Sequence, residues 1–274
     1  EKILIIDFGS QVTQLIARRL REANIYCEIM AYDKTADEIR GFSPKGIILS
    51  GGPASVRDPE SPRACQAIFE LGVPILGICY GQLTLCSQLG GSVESSDHRE
   101  FGRATIDIVH DCKLFEGVWD SGSQDEVWMS HGDRVTALPE GFTTVATSNS
   151  SPFAVIADDD RRYYGLMFHP EVIHTPRGSE LLVNFCRNIA GCTANWTMAA
   201  FRSQATKRIR EKVGNEKVIC GLSGGVDSSV AAVLIHEAIG NQLQCIYVDH
   251  GLMRAGETEQ VLDVFGRHFN IPLI

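Results

Sequence analysis

No two cysteines in this chain stand three residues apart, so it has none of the CxxC pairs of zinc ribbons or thiol oxidoreductases. Its nine cysteines are an odd, scattered set. That argues against a disulfide framework and for reduced thiols in a cytoplasmic compartment. No apolar run approaches the roughly 20 residues of a membrane-spanning helix. Positive charge is short: 25 Lys and Arg face 34 Asp and Glu, for a formal net charge of −9. The chain therefore lacks the basic field that binding to nucleic acid requires. Repeats and low-complexity tracts are missing too. At the start, Glu1-Lys2-Ile3-Leu4-Ile5-Ile6-Asp7 reads as a strand rather than a signal peptide, because no basic segment leads into a long apolar stretch.

What is present is ordinary globular composition, 44% hydrophobic and 22% charged over 274 residues, a length that suits two domains. Short apolar runs at 3–6, 26–30, 46–50 and 74–78 alternate with helical patterns at 12–22 and 63–71. This rhythm predicts an α/β fold, a mostly parallel sheet with helices on both faces. From 103 to 168 the pattern changes to successive short strands (104–109, 127–130, 143–147, 153–157, 163–168), which predicts an antiparallel or mixed extension. A helix over 179–190 closes a first domain, 1–191, and 192–198 is a linker. A second β-α-β series then begins, with helices at 199–213, 227–239 and 257–269 and strands at 217–221 and 243–248. Residues 272–274 start a further strand. So few parallel strands leave apolar faces uncovered, so 199–274 reads as the beginning of a second parallel α/β, nucleotide-binding domain.

Gly77-Ile78-Cys79-Tyr80-Gly81 stands between a strand and a helix, the Cys form of a nucleophile elbow. Its glycines permit the sharp turn, and the helix N-terminus favours the thiolate. The Tyr80 backbone N–H is an oxyanion donor, and the glycines of Ser50-Gly51-Gly52-Pro53 let Gly52 supply a second. Cys65, Cys86, Cys186, Cys220 and Cys245 read instead as packing residues. In Phe168-His169-Pro170-Glu171 the proline keeps the segment extended, so the side chains of His169 and Glu171 share a side. That is a base with its orienter. Ser130-His131-Gly132-Asp133 also follows a strand and alone reads as a turn.

In the second domain, Leu222-Ser223-Gly224-Gly225-Val226-Asp227-Ser228-Ser229 lies between a strand and a helix. Its backbone N–H groups form an anion nest at a helix N-terminus, and the hydroxyls of Ser223, Ser228 and Ser229 add donors. No Lys follows the glycines, so this is not a Walker A loop. Asp227 suits Mg²⁺ carried on phosphates.

The motifs SGGP (50–53), GICYG (77–81), SHGD (130–133) and FHPE (168–171), in this order, resemble those of the class I, or triad, glutamine amidotransferases over residues 1–190. The resemblance implies that Cys79 attacks the side-chain amide of glutamine, with His169 and Glu171 completing the triad. It implies that Gly52 and Tyr80 hold the oxyanion. Ser130, His131, Gly132 and Asp133 would hold the α-amino and α-carboxyl groups of the substrate. One position departs from the pattern. The family's substrate-contacting Gln four residues after the cysteine is Leu83 in this chain, preceded by Gln82. Either Gln82 takes over the contact through a local shift, or glutamine binding is weakened.

The loop at 222–229 resembles the SGGxDSS loop of the N-type ATP pyrophosphatases, which adenylylate an acceptor oxygen. Residues 247–254, including Val248, resemble that family's second nucleotide-contacting loop. Together the two halves resemble amidotransferase–pyrophosphatase ligases that use glutamine, ATP and Mg²⁺ to aminate xanthosine monophosphate. The resemblance implies a homodimer, with the acceptor site beyond Ile274. Two other readings stay open: an amidotransferase serving another acceptor, and a non-catalytic glutamine-binding module.

Overall fold

The structure is a computed structural model that describes residues 1–249, 251 and 253–274, without the side chains of 96–99. His250 and Leu252, part of the expected second nucleotide loop, lie outside the described residues. The chain forms two compact units, Glu1–Asn195 and Trp196–Ile274.

The first unit opens with β1 (Ile3–Asp7), α1 (Thr13–Glu22), β2 (Cys27–Ala31), α2 (Ala36–Phe42) and β3 (Gly46–Leu49). It continues with α3 (Ala67–Glu70), β4 (Ile75–Ile78) and α4 (Tyr80–Gln88). A long pair follows, β5 (Ser92–Ile108) and β6 (Gln124–Ala137), then β7 (Thr143–Ser148), β8 (Val155–Asp158), β9 (Tyr163–Leu166) and α5 (Gly178–Asn184). All nine strands join one sheet in the order β2-β1-β3-β4-β9-β8-β7-β5-β6. The five strands from β2 to β9 are parallel, and the remaining pairings are antiparallel.

Every residue of β3, β4 and β9 is buried, as a parallel strand covered on both faces must be. Gly46 and Leu49 are three apart on β3 and so face opposite ways. A Cβ on Gly46 would lie 3.0 Å from Ala190 and 3.5 Å from Phe185, which bound the π-helical turn (Phe185–Ile189) that extends α5, whereas Leu49 backs onto Gly81 of α4. The helices thus cover both faces. β6 instead alternates between buried and wetter positions, the pattern of a strand with one covered face.

Several details differ from the sequence expectation, among them that β5 begins at Ser92 and not at 104. The helix expected over 63–71 is confined to Ala67–Glu70. The Gln88 carboxamide donates to Ala64 O and accepts from Ala64 N–H, both at 2.9 Å, so that backbone pairs with a side chain instead of with a helix. α2 was not anticipated. It starts at a capping box in which Thr35 and Glu38 satisfy each other's backbone N–H groups. Residues 130–133 are not a turn. They continue β6, paired with β5 through His131↔Glu100 and Asp133↔Ser95, and a register shift between Ser95 and Glu100 absorbs the mismatch.

The second unit comprises α6 (Met198–Val213), β10 (Val218–Leu222), α7 (Val226–Ile239), β11 (Leu243–Tyr247) and α8 (Glu257–Val261). A π-helical turn carries α8 on to His268. β10 and β11 are parallel, and a parallel bridge from Cys245 to Leu273 adds the beginning of a third strand. Leu222, Leu243 and Cys245 are buried with Ala232 and Phe265. Ile219 and Val248 remain 71% and 66% exposed. Among the described residues no helix is long and apolar enough to cross a membrane.

Candidate active site

β4 ends at Ile78 and α4 begins at Tyr80, so Cys79 alone makes the turn. It does so at φ +52° and ψ −108°, a strained conformation for a residue with a side chain. The flanking glycines explain how strand and helix come so close. A Cβ on Gly77 would lie 2.6 Å from the Gly81 carbonyl, and one on Gly81 would lie 2.2 Å from Leu49 O. The Cys79 N–H is held by Leu166 O of β9 at 2.6 Å. Its thiol contacts Ser130 O of β6 at 3.3 Å.

The ring of His169 lies against Gly51, where a Cβ would come within 3.0 Å of the imidazole Cε1. His169 Nδ1 is 2.8 Å from Glu171 Oε1, and Glu171 is fully buried. Because the carboxylate faces Nδ1, Nε2 is the nitrogen free for proton transfer at the thiol. Burial alone would pull the His169 pKa down. Hydrogen bonds to Cys79 and Glu171 override it and raise the value to about 10. Arg19 Nε of α1 donates to Glu171 O at 3.2 Å, which fixes the peptide behind the carboxylate.

The Cys79 side chain lies between two cavities of about 620 and 300 Å³. Gly52, Tyr80, Leu83 and residues 130–133 line the larger one. His169, Trp128 and residues 9–12 line the smaller one. Asp133, at the wall of the larger cavity, accepts a 2.5 Å hydrogen bond from Ser55 Oγ. His131 is engaged inside the protein: Nδ1 is 3.1 Å from Asp133 O and Nε2 is 3.2 Å from Glu100 Oε2. Its ring forms part of the wall, with Nε2 close to the Glu100 carboxylate.

Cys79, Tyr80, Gly52 and residues 130–133 thus meet at one cleft, with His169 and Glu171 behind the thiol. Gln82 is the exception. It is fully buried, its Nε2 donates to Phe153 O at 2.8 Å, and its side chain packs on Gly165. This corrects the idea that Gln82 takes over the substrate contact, because the cleft position belongs to Leu83. One turn of α4 explains it: neighbouring residues on a helix point about 100° apart. Sequence reasoning missed Ser55, which only the folded chain brings to the cleft.

In the second unit, Gly224 turns the loop after β10 at φ +77°. The hydroxyls of Ser228 and Ser229 donate to Gly225 O at 3.1 and 2.7 Å, and Ser223 Oγ accepts from Gly225 N–H at 3.3 Å. These serines brace the loop from within. Val226 and Asp227 open α7, with first-turn N–H groups that have no carbonyl of their own helix. Ser223 and Val248 line a cavity of about 430 Å³.

A model of the NAD synthase family matches residues 200–264. Over all 274 residues the chain is similar to the glutamine-hydrolyzing GMP synthases of Bradyrhizobium diazoefficiens (62% identity) and Rhizobium etli (60%). It spans about half the length of these curated relatives, 50% and 53%. A solved structure from Thermoplasma acidophilum, assigned to a GMP synthase, aligns with a TM-score of 0.62 at 30% identity. That alignment covers 74% of this chain and 96% of the other. A Thermotoga maritima glutamine amidotransferase shares the fold at a TM-score of 0.55 and 20% identity, over 70% of this chain and 98% of that one. The model of class-I glutamine amidotransferases matches residues 4–189, which include the elbow, the His169 segment and every strand that carries them, and the chain belongs to that family.

Proposed function

We propose that the first unit hydrolyses glutamine and that the whole protein uses the ammonia to make GMP from xanthosine monophosphate and ATP. The names of the relatives point to this reaction, and the placement of Cys79 between the cleft and the His169–Glu171 pair is the observation that carries it.

Glutamine enters the larger cavity with its carboxamide at Cys79. The sulfur attacks the amide carbon, and the oxyanion is held by the Gly52 and Tyr80 N–H groups. His169, protonated at neutral pH, donates a proton to the departing nitrogen, which leaves as ammonia. The γ-glutamyl thioester is then hydrolysed by water, with His169 as the base. Glu171 keeps the ring oriented throughout. Ser130, Gly132 and Asp133 face the α-amino and α-carboxyl groups.

The second unit contributes the start of an ATP pyrophosphatase domain. Its braced loop of residues 223–229 presents helix N-terminal amides to the pyrophosphate end of ATP. Among the described residues no cluster of three or more His, Cys, Asp or Glu forms a metal cage. The exposed Asp227 carboxylate, together with the phosphate oxygens of a bound ATP, would instead be the donor set that suits Mg²⁺, a cation that keeps much of its shell as water and phosphate. Mg²⁺ there would neutralise phosphate charge.

Cys79→Ala in the full-length protein is expected to abolish glutamine-dependent GMP formation while sparing formation from added ammonia. Residual glutamine hydrolysis within about tenfold of the parent overturns the assignment. Loss of the ammonia-dependent reaction as well counts against separate sites.

A further inference from the structure

His169 lies beyond the end of β9, where no regular strand holds it. Met129 and Phe168 form an isolated antiparallel bridge, so Trp128 and His169 are the next pair along. Such a pair normally exchanges two direct N–H···O=C bonds. In this pair only one is direct, from His169 N–H to Trp128 O at 2.9 Å. In place of the other stands Thr175 Oγ1, which accepts from Trp128 N–H at 3.1 Å and donates to His169 O at 2.7 Å. A hydroxyl can fill both roles with one atom. Thr175 is 3% exposed, so water does not offer an easy substitute.

A rung relayed through a hydroxyl is longer than a direct one of about 2.9 Å. The Thr175 relay therefore holds the His169 peptide away from β6 while keeping the two in register. Two residues further along β6, Ser130 O receives the Cys79 thiol. The hydroxyl thus ties the segment that carries the imidazole to the strand that contacts the sulfur. We propose that Thr175 is a positioning residue, whose hydroxyl, inserted into the ladder between Trp128 and His169, sets the imidazole against the Cys79 thiol. This rests on reading Cys79 and His169 as nucleophile and base.

Thr175→Val in the full-length protein keeps the shape and removes the relay; Thr175→Ala makes the same comparison without the added methyl group. The expected result is a kcat for glutamine hydrolysis lower by about tenfold or more, with KM within about threefold, because the cleft that binds glutamine is untouched. Thr175→Ser, which keeps the hydroxyl, should restore kcat to within about threefold of the parent. The pH midpoint for alkylation of Cys79 by iodoacetamide should move in the valine and alanine variants and not in the serine one. A purely structural role would lower thermal stability without moving that midpoint. Unchanged kcat and midpoint in Thr175→Val, or no rescue by serine, overturns the proposal. A parent that lacks Cys79-dependent hydrolysis overturns the glutaminase reading instead, and the alkylation midpoint still tests Thr175.

Discussion

Leu83→Gln is expected to tighten glutamine binding. Leu83 lies one turn into α4, with its N–H on Cys79 O at 3.2 Å, and its side chain lines the larger cavity. An apolar group there leaves a polar substrate atom without a partner. A new neutral hydrogen bond is worth about 0.5–1.5 kcal/mol net. That corresponds to a KM for glutamine lower by roughly twofold to twelvefold. The gain should appear in KM more than in kcat, because the contact exists in both ground and transition states. Leu83 is only 3% exposed and belongs to the main core, so the same change gives up packing. Exchanging a buried leucine for a polar chain of similar length should cost about 1–3 kcal/mol of stability. Steady-state glutaminase assays with a parallel urea titration separate the two effects. Gln82→Ala is the control. Gln82 donates to Phe153 O, away from the cleft, so its removal should lower stability and leave KM unchanged. An unchanged KM in Leu83→Gln with a raised KM in Gln82→Ala would refute this account of the helix.

Glu171→Gln should reduce turnover less than His169→Ala, since the orienter tunes a proton that the base itself moves. The folded pKa of His169, about 10, lies above the ordinary 6.5. The stability this group contributes is therefore complete below about 6.5 and is lost as pH rises through about 10. Glu171→Gln removes one of the raising partners. It should shift the alkaline limb of the rate profile downward and flatten the alkaline slope of stability; equal losses in the two variants, or an unmoved limb, would contradict the orienter and base roles. Asp227→Ala should weaken Mg·ATP binding more than binding of ATP without the metal. Calorimetry showing the same Mg·ATP affinity in parent and variant removes Asp227 from the metal site.

The centre of the parallel half of the sheet was legible because β3, β4 and β9 are buried on both faces. Ile75–Ile78 shows only apolar residues and glycine, and a segment of that length with one face in water would have had to alternate. The elbow was legible for a related reason. Gly77 and Gly81 bracket the cysteine because a Cβ at either would strike backbone atoms, a demand that leaves a trace in the sequence. Other parts leave none. The start of α3 is delayed by the side chain of Gln88, 24 positions beyond the Ala64 backbone it binds. Residues 130–133 look like a turn, yet they remain in a strand because Glu100 and Ser95 supply partners on β5. Thr175 carries no motif at all, and only the bridge between Met129 and Phe168 gives its hydroxyl a purpose.

The case of Gln82 and Leu83 shows where the boundary between legible and illegible falls. The sequence alone allowed either residue to face the substrate, because a shift of one position at the start of α4 would exchange them. That start is fixed by contacts distant in sequence. Gly81 is seated against Leu49 O on β3, and Cys79 N–H is tied to Leu166 O on β9. With Gly81 pinned against one strand and Cys79 held by another, α4 has no freedom to rotate by the roughly 100° that would bring residue 82 to the cleft. The strain at Cys79, φ +52°, arises from the same two constraints. What projects the thiol into the cleft also decides that the residue lining that cleft one turn into α4 is a leucine.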